Sequence, residues 1–167
     1  MACILESDLS TESCSMSIGG LKGVWLANKA DIDSTTSPSQ GIVSAVTMVS
    51  PETFFVMGTE KDKSSFTQIF TPIGNTGFVV QTLDLFLNPE YISGNITATA
   101  LALGEFVAIV ETLKGEKFIM GRGNSLRSTV VDFNSGVATG DIRNLHVTMV
   151  ANELEFIPKY TGTIPLV

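Results

Sequence analysis

The sequence predicts a mainly β fold: a β-sandwich or distorted barrel with one flanking α-helix and extended terminal arms. Three observations predict it. Short β-branched and aromatic runs recur with turn residues between them. A single segment, near 89–103, carries the start and stop signals of a helix. The chain of 167 residues is 44% hydrophobic but only 16% charged, where an average soluble domain carries roughly 25% charged residues.

Residues 1–20 are Ser-rich and end in Gly19-Gly20, which suits an irregular N-terminal arm. Gly23 to Ala27 is a short strand. Asp31 to Gly41 holds Ser34-Thr35-Thr36-Ser37-Pro38-Ser39 and predicts an exposed loop. The β-branched run Ile42 to Val49 predicts a strand that stops at the turn Ser50-Pro51-Glu52, and Thr53 to Met57 predicts another. Glu60-Lys61-Asp62-Lys63, the densest charge cluster, suits a solvated loop. Ser64 to Thr71 alternates, with Phe66, Gln68 and Phe70 on one face and Ser65, Thr67, Ile69 and Thr71 on the other. Pro72 to Gly77 reads as a loop. Phe78 to Leu87 is a long extended run. Val79, Gln81, Leu83, Leu85 and Leu87 form one face; Phe78, Val80, Thr82, Asp84 and Phe86 form the other. Both faces carry apolar residues, so both are expected to be covered, one by a core and one partly by a neighbour.

Asn88 suits a helix N-cap, Pro89 the first helical position and Glu90 the positive helix end. The helix would run from Tyr91 to Leu103 and stop at Gly104, a residue suited to a left-handed cap. Phe106 to Thr112 and Glu116 to Met120 flank Leu113-Lys114-Gly115, a hairpin signal. Leu126 to Phe133 is the next strand and ends at an Asn134-Ser135-Gly136 turn. Ile142 to Asn152 alternates strictly, Leu145, Val147, Met149 and Ala151 against Asn144, His146, Thr148 and Asn152. That pattern predicts one buried and one polar face. One domain is expected over 21–152, followed by a C-terminal tail over 153–167.

The 17 acidic and 10 basic residues leave a net charge of −7. A basic nucleic-acid-binding surface lacks its electrostatic excess here, and disorder needs the opposite of this composition. A small monomer with so few charges would struggle to cover its surface, so much of that surface is expected to meet other protein. Met1 to Asp8 has neither the basic region nor the apolar run of a signal peptide. Ile96 to Val110, the most apolar stretch, is broken by Gly104 and Glu105 and is too short to span a bilayer. A soluble protein made in a cytoplasm, with no membrane partner, is expected. Cys3 and Cys14 read as free thiols, with a disulfide across the arm as the alternative. Zinc wants four ligands, and the only histidine is His146.

Catalytic patterns fail one by one. Gly121-Arg122-Gly123-Asn124 opens like a dinucleotide fingerprint but lacks the third glycine and a following helix, so it reads as a turn. His146, on the polar face of a regular strand, reads as a structural or interface histidine. Glu153 and Glu155 could pair for acid–base work, but read as an exposed strand edge. Trp25 reads as core. No catalytic residue, metal or cofactor is expected, and the chain is not expected to be an enzyme.

Several segments, taken in order, resemble the tail tube proteins of long-tailed bacteriophages. They are the Cys-containing arm leading to Gly19-Gly20-Leu21-Lys22-Gly23-Val24, then Ser64 to Gln68, Phe78 to Leu85, Phe106 to Glu111, Gly136 to Asp141 and Val147 to Glu153. The resemblance implies a structural virion protein whose hexameric rings stack into a hollow tube. Long strands of each subunit would join a continuous barrel lining the lumen, and loops and terminal arms would bridge rings. It implies assembly in the host cytoplasm and a final place in the virion tail. The chain itself would be the main partner, with other tail proteins (tape measure, sheath or terminator) beside it. DNA would pass without specific binding, because an acidic wall repels phosphate. Candidates for ring closure and lumen lining are Phe66, Gln68, Phe70, Gln81, Asp84 and Phe86, with Asp84 the only acid in Phe78 to Leu87. Candidates for inter-ring contact are Asp31, Asp33, Ser37, Pro38, Ile164 and Leu166. The alternatives are another virion ring or decoration protein, such as a head–tail connector or tail terminator, and a non-viral β-sandwich binding module.

Overall fold

The computed structural model describes residues 19–59, 63–88, 94–138 and 143–166. The arm with both cysteines, the helix start Pro89 to Glu90 and most of the charge cluster at 60–63 lie outside the described residues. The chain is mainly β with one short helix, as expected.

Two strands organise the rest. β1 (Leu21–Asn28) pairs antiparallel with β8 (Glu105–Thr112). Five consecutive residues of β8, Phe106 to Val110, are buried, because it is covered on both faces. One face carries Phe106, Ala108 and Val110 into a large core shared with Val24 and Leu26. The other carries Val107 and Ile109 into a second, smaller core with Val43, Val46 and Phe54. A continuous apolar run is the signature of such a doubly covered strand. β9 (Lys117–Met120) forms the predicted hairpin with β8, turning at Gly115 with φ 84°.

The second core has its own cover. Ile32–Thr36 is a strand (β2), not the expected loop; it pairs with β4 (Ala45–Met48) to make a two-stranded sheet. Ile32 packs against the second core, and threonines fit a pleated strand well, so the Ser/Thr content misled. The expected strand Ile42 to Val49 breaks at Ser44, whose N–H bonds to the Thr36 carbonyl at 2.8 Å. Its first part, β3 (Ile42–Val43), pairs with β12 (Lys159–Tyr160) of the C-terminal tail. β12 also pairs with β9, and Tyr160 and Ile164 fill the second core. β5 (Phe55–Met57) pairs with β1.

The large core is closed from the other side by four long antiparallel strands, in the order β10 (Leu126–Asn134), β11 (Asn144–Glu153), β7 (Thr76–Leu87) and β6 (Ser65–Ile73). β10 joins β8 only at Leu126 and Arg127, so this sheet curls away from the central one. The expected loop Pro72 to Gly77 shrinks to a hairpin around Gly74 (φ 60°) and Asn75, because Pro72 pairs with Gly77. Proline is tolerated there since β6 is an edge strand. The helix α1 (Gly94–Leu103) packs against β10 and sends Leu101 into the large core. Gly104 does not take the predicted left-handed conformation. A Cβ there would lie 2.7 Å from the Ala100 carbonyl and 2.4 Å from the Phe106 ring, so the site demands closeness rather than a positive φ.

Candidate assembly surface

Period-two alternation gives the four-stranded sheet two unlike faces. Inward point Leu83, Leu85 and Leu87 of β7 with Leu145, Val147 and Met149 of β11, all buried in the large core. Outward point Phe78, Val80, Thr82, Asp84 and Phe86 of β7, as expected. Opposite them stand His146, Thr148 and Val150 of β11 and Thr67 and Ile69 of β6. None of these outward side chains belongs to either core cluster. The expectation that one face of Phe78 to Leu87 meets the core is met.

Register builds a polar cluster toward one end of the outward face, where β7 and β10 finish and β11 begins. Phe86, His146 and Asp132 lie in line across β7, β11 and β10. The imidazole stacks on the Phe86 ring at 4.4 Å and 13°. Its Nε2 lies 3.3 Å from Asp84 Oδ1, and its Nδ1 lies 3.8 Å from Asp132 Oδ2. The Thr148 hydroxyl donates to Asp84 Oδ1 at 2.6 Å. Arg127 pairs with Glu105 at the margin of this face. Asp84, the lone acid of its strand, is thus joined by an aspartate from another strand. Ser65 of β6 stands across from Asp84 in the register, and among the described residues no group of three or more His, Cys, Asp or Glu could hold a metal ion.

The structure does not bring the six ring and lumen candidates together. Asp84 and Phe86 lie on the outward face; Phe66, Gln68, Phe70 and Gln81 lie on the inward one, because Gln68 pairs with Gln81 and Phe66 with Leu83. Gln81 is 1% exposed. Its Oε1 accepts the Gly121 N–H at 3.0 Å and its Nε2 donates to the Glu155 carbonyl at 3.4 Å. It is an internal residue and cannot line a lumen. Phe66 packs on the large core beside Phe118, at 5.6 Å. Gln68 Oε1 accepts the Ile157 N–H at 2.8 Å, and Phe70 stacks on Phe156.

The inter-ring candidates are also divided. Asp31 accepts a 2.7 Å hydrogen bond from the Asn28 side chain. Asp33, Ser37, Pro38 and Leu166 are exposed, and the Ser37 hydroxyl accepts from the Arg122 guanidinium. Ile164 is buried in the second core, so its side chain is used within the chain.

Two motifs that read separately as a turn and a strand edge meet in one structure. Glu153 is not on an exposed edge: it is 4% exposed and continues the buried face of β11 past Ala151. Its Oε1 accepts the N–H groups of Gly123 and Asn124, both at 2.9 Å. The Gly-rich turn therefore presents backbone donors to an anion, but the anion is the chain's own carboxylate. Glu155, two residues on, is an ion-pair partner of Arg122. The two carboxylates hold the β9–β10 loop and are committed to structure. Strand parity pointed to the burial of Glu153; its partners, about thirty residues away in sequence, had no local signal.

Among the described residues no helix is long and apolar enough to cross a membrane. Comparison with protein-family models, curated proteins and solved structures finds no match to this chain.

Proposed function

We propose that the chain is a structural subunit that assembles with copies of itself and, from the order of its segments, that the assembly is a phage tail tube of stacked hexameric rings conducting DNA. The observation that carries this reading is the four-stranded sheet, whose outward side chains join neither core and whose two edges pair with no further strand among the described residues. Among the described residues β6 pairs with β7 alone, and β10 from Val130 to Asn134 pairs with β11 alone. Monomeric proteins guard long edges with charge, bulges or covering loops. β6 spans nine residues with no charged side chain and an unbroken register, with Pro72 as the one edge-guarding residue within the strand itself.

The strand directions support a closed ring. Four antiparallel strands alternate, so β6 and β10 run in opposite directions. A copy rotated about a common axis would offer its β10 antiparallel to the first copy's β6. Such a contact uses two different patches and closes into a ring when the rotation divides a full turn. The bulk of each domain lies behind the inward face, so the outward face would line the lumen. Asp84 and Asp132 there outnumber the basic groups once Arg127 and Glu105 are paired. An acidic lining lets DNA slide without adhering. Sedimentation and negative-stain imaging of the purified protein test the reading. Rings or tubes are expected; monomers at every concentration would refute it.

A further inference from the structure

The two ends of the central sheet carry opposite charge. Lys22, Lys114, Lys117 and Lys159, four of the chain's ten basic residues, gather at one end. Register brings them there. Leu21 at the start of β1 pairs with Thr112 at the end of β8, Glu111 of β8 pairs with Lys117 of β9, and Phe118 of β9 pairs with Lys159 of β12. The Leu113 N–H bonds to the Gly20 carbonyl at 3.3 Å, which sets the β8–β9 turn and its Lys114 beside the start of β1. Two carboxylates oppose the four lysines: Glu111 pairs with Lys22 and Glu116 with Lys159, both at 2.9 Å. Lys114 and Lys117 have no ion-pair partner among the described residues. The hydrogen bond and charge of Lys159, with Lys114 adding to them, hold the Glu116 carboxyl below its ordinary value.

The far end of the same strands is acidic. Asn28, the last residue of β1, pairs with Phe106 near the start of β8, and the turn Lys29–Asp31 follows at once. At roughly 3.3 Å per residue this end lies about 25 Å from the lysines. The Val49 N–H bonds to the Asp31 carbonyl and the Glu52 N–H to the Val49 carbonyl, both at 2.8 Å, which brings Glu52 to the corner that holds Asp31 and Asp33. Asp33 and Glu52 are exposed and have no ion-pair partner among the described residues. Lys29 donates its Nζ to the Arg122 carbonyl, while Arg122 and Arg127 are held by Glu155 and Glu105. Four lysines against Glu111 and Glu116 leave two positive charges at one end; Asp31, Asp33 and Glu52 against Lys29 leave two negative charges at the other. The two surpluses cannot meet within one copy, because charges are screened beyond about 8 Å at physiological salt. They match when copies are set end to end in one direction. Such a head-to-tail contact does not close but propagates. Neither end uses a residue of β6 or β10, so the contact leaves ring closure free.

We propose that the end bearing Lys22, Lys114, Lys117 and Lys159 docks on the end bearing Asp31, Asp33 and Glu52 of a second copy of this chain, and that this contact joins successive rings. The proposal rests on the ring reading and adds to it a named joint between rings. Exposed ion pairs are weak singly, but every copy in a ring repeats the contact, so the joints act together. A charge swap tests it. Lys22→Glu with Lys114→Glu makes both ends of the domain acidic, and Asp33→Lys with Glu52→Lys makes both ends basic. All four positions are exposed, so each variant should melt as the unaltered protein does and still form rings. In negative-stain images at about 0.1 M salt, each variant alone should give single rings. An equal mixture should restore stacks, in which acidic and basic rings alternate. Unaltered stacks should fall apart into rings at about 1 M salt, where screening shortens to about 3 Å; this arm needs no substitution. If the unaltered protein never forms rings, the ring reading fails and the joint with it. If its rings never stack, if its stacks ignore salt, if either variant stacks alone equally well, or if the mixture stays as single rings, the joint is wrong and the ring reading stands.

Discussion

At Glu153, a side chain only 4% exposed, a single carboxylate oxygen takes two backbone N–H groups. Hydrogen bonds to charged groups are worth about 1.5–3 kcal/mol each, and losing the acceptor strands both donors. Glu153→Ala should therefore lower unfolding stability by about 3 kcal/mol in urea titration. Glu153→Gln keeps an accepting oxygen and should cost about 1 kcal/mol. A smaller loss for alanine than for glutamine would remove the carboxylate from its structural role. Gly123 belongs to the same account: a Cβ there would lie 2.3 Å from Glu153 Oε2. Tyr160 gives a pH test. Burial pushes its phenol above the ordinary value of 10.0, and its hydroxyl donates to the Thr163 carbonyl at 2.7 Å. The native state thus favours the protonated phenol. That contribution is complete below the unfolded value and is lost as pH rises through the folded one. Of the two tyrosines, one should titrate late by absorbance, and Tyr160→Phe should abolish that late step.

At the scale of elements, β6 and β2 carry opposite lessons. β6 alternates as its sequence suggests, and its outer edge, which pairs with no strand among the described residues, is the joint of the proposed ring. Ile69→Lys places a charge on that edge at an exposed position. It should change monomer stability by no more than about 0.5 kcal/mol while abolishing assembly by light scattering; normal assembly would mean the β6 edge is not the joint. β2 was illegible as a strand because Ser, Thr and Asp in a row near a proline look like a loop. Pairing with β4 and the packing of partly buried Ile32 against the second core decide otherwise. Deleting residues 32–36 should therefore lower the melting temperature by roughly 5–10 °C, several kcal/mol at this chain size. Unchanged melting would return the segment to the exposed loops.

For the whole molecule, the charge-poor composition finds its physical counterpart in the open sheet. Apolar residues outside the two cores lie on the outward face and along the β6 and β10 edges, among them Ile69, Ile73 and Val130. If the outward face forms an acidic lumen, assembled protein should not retain DNA at about 0.15 M salt, where screening extends to about 8 Å. Asp84→Lys with Asp132→Lys should reverse this in a filter-binding assay. Equal retention before and after would mean that the face does not meet DNA. Much of the architecture was legible in the sequence. The alternation of Phe78 to Leu87 and of Leu145 to Ala151 sorted core from surface side chains correctly, since successive residues of any strand must point to opposite sides. That property is local, so the sequence by itself determined which residues of each strand face together. Which strands become neighbours is not local. Only the tertiary structure set Gln81 under the Gly121 loop, Asp132 beside His146, and Phe66 on the opposite face from Asp84. Those placements depend on register between strands distant in the chain, settled by how the two cores pack rather than by any residue's own preference.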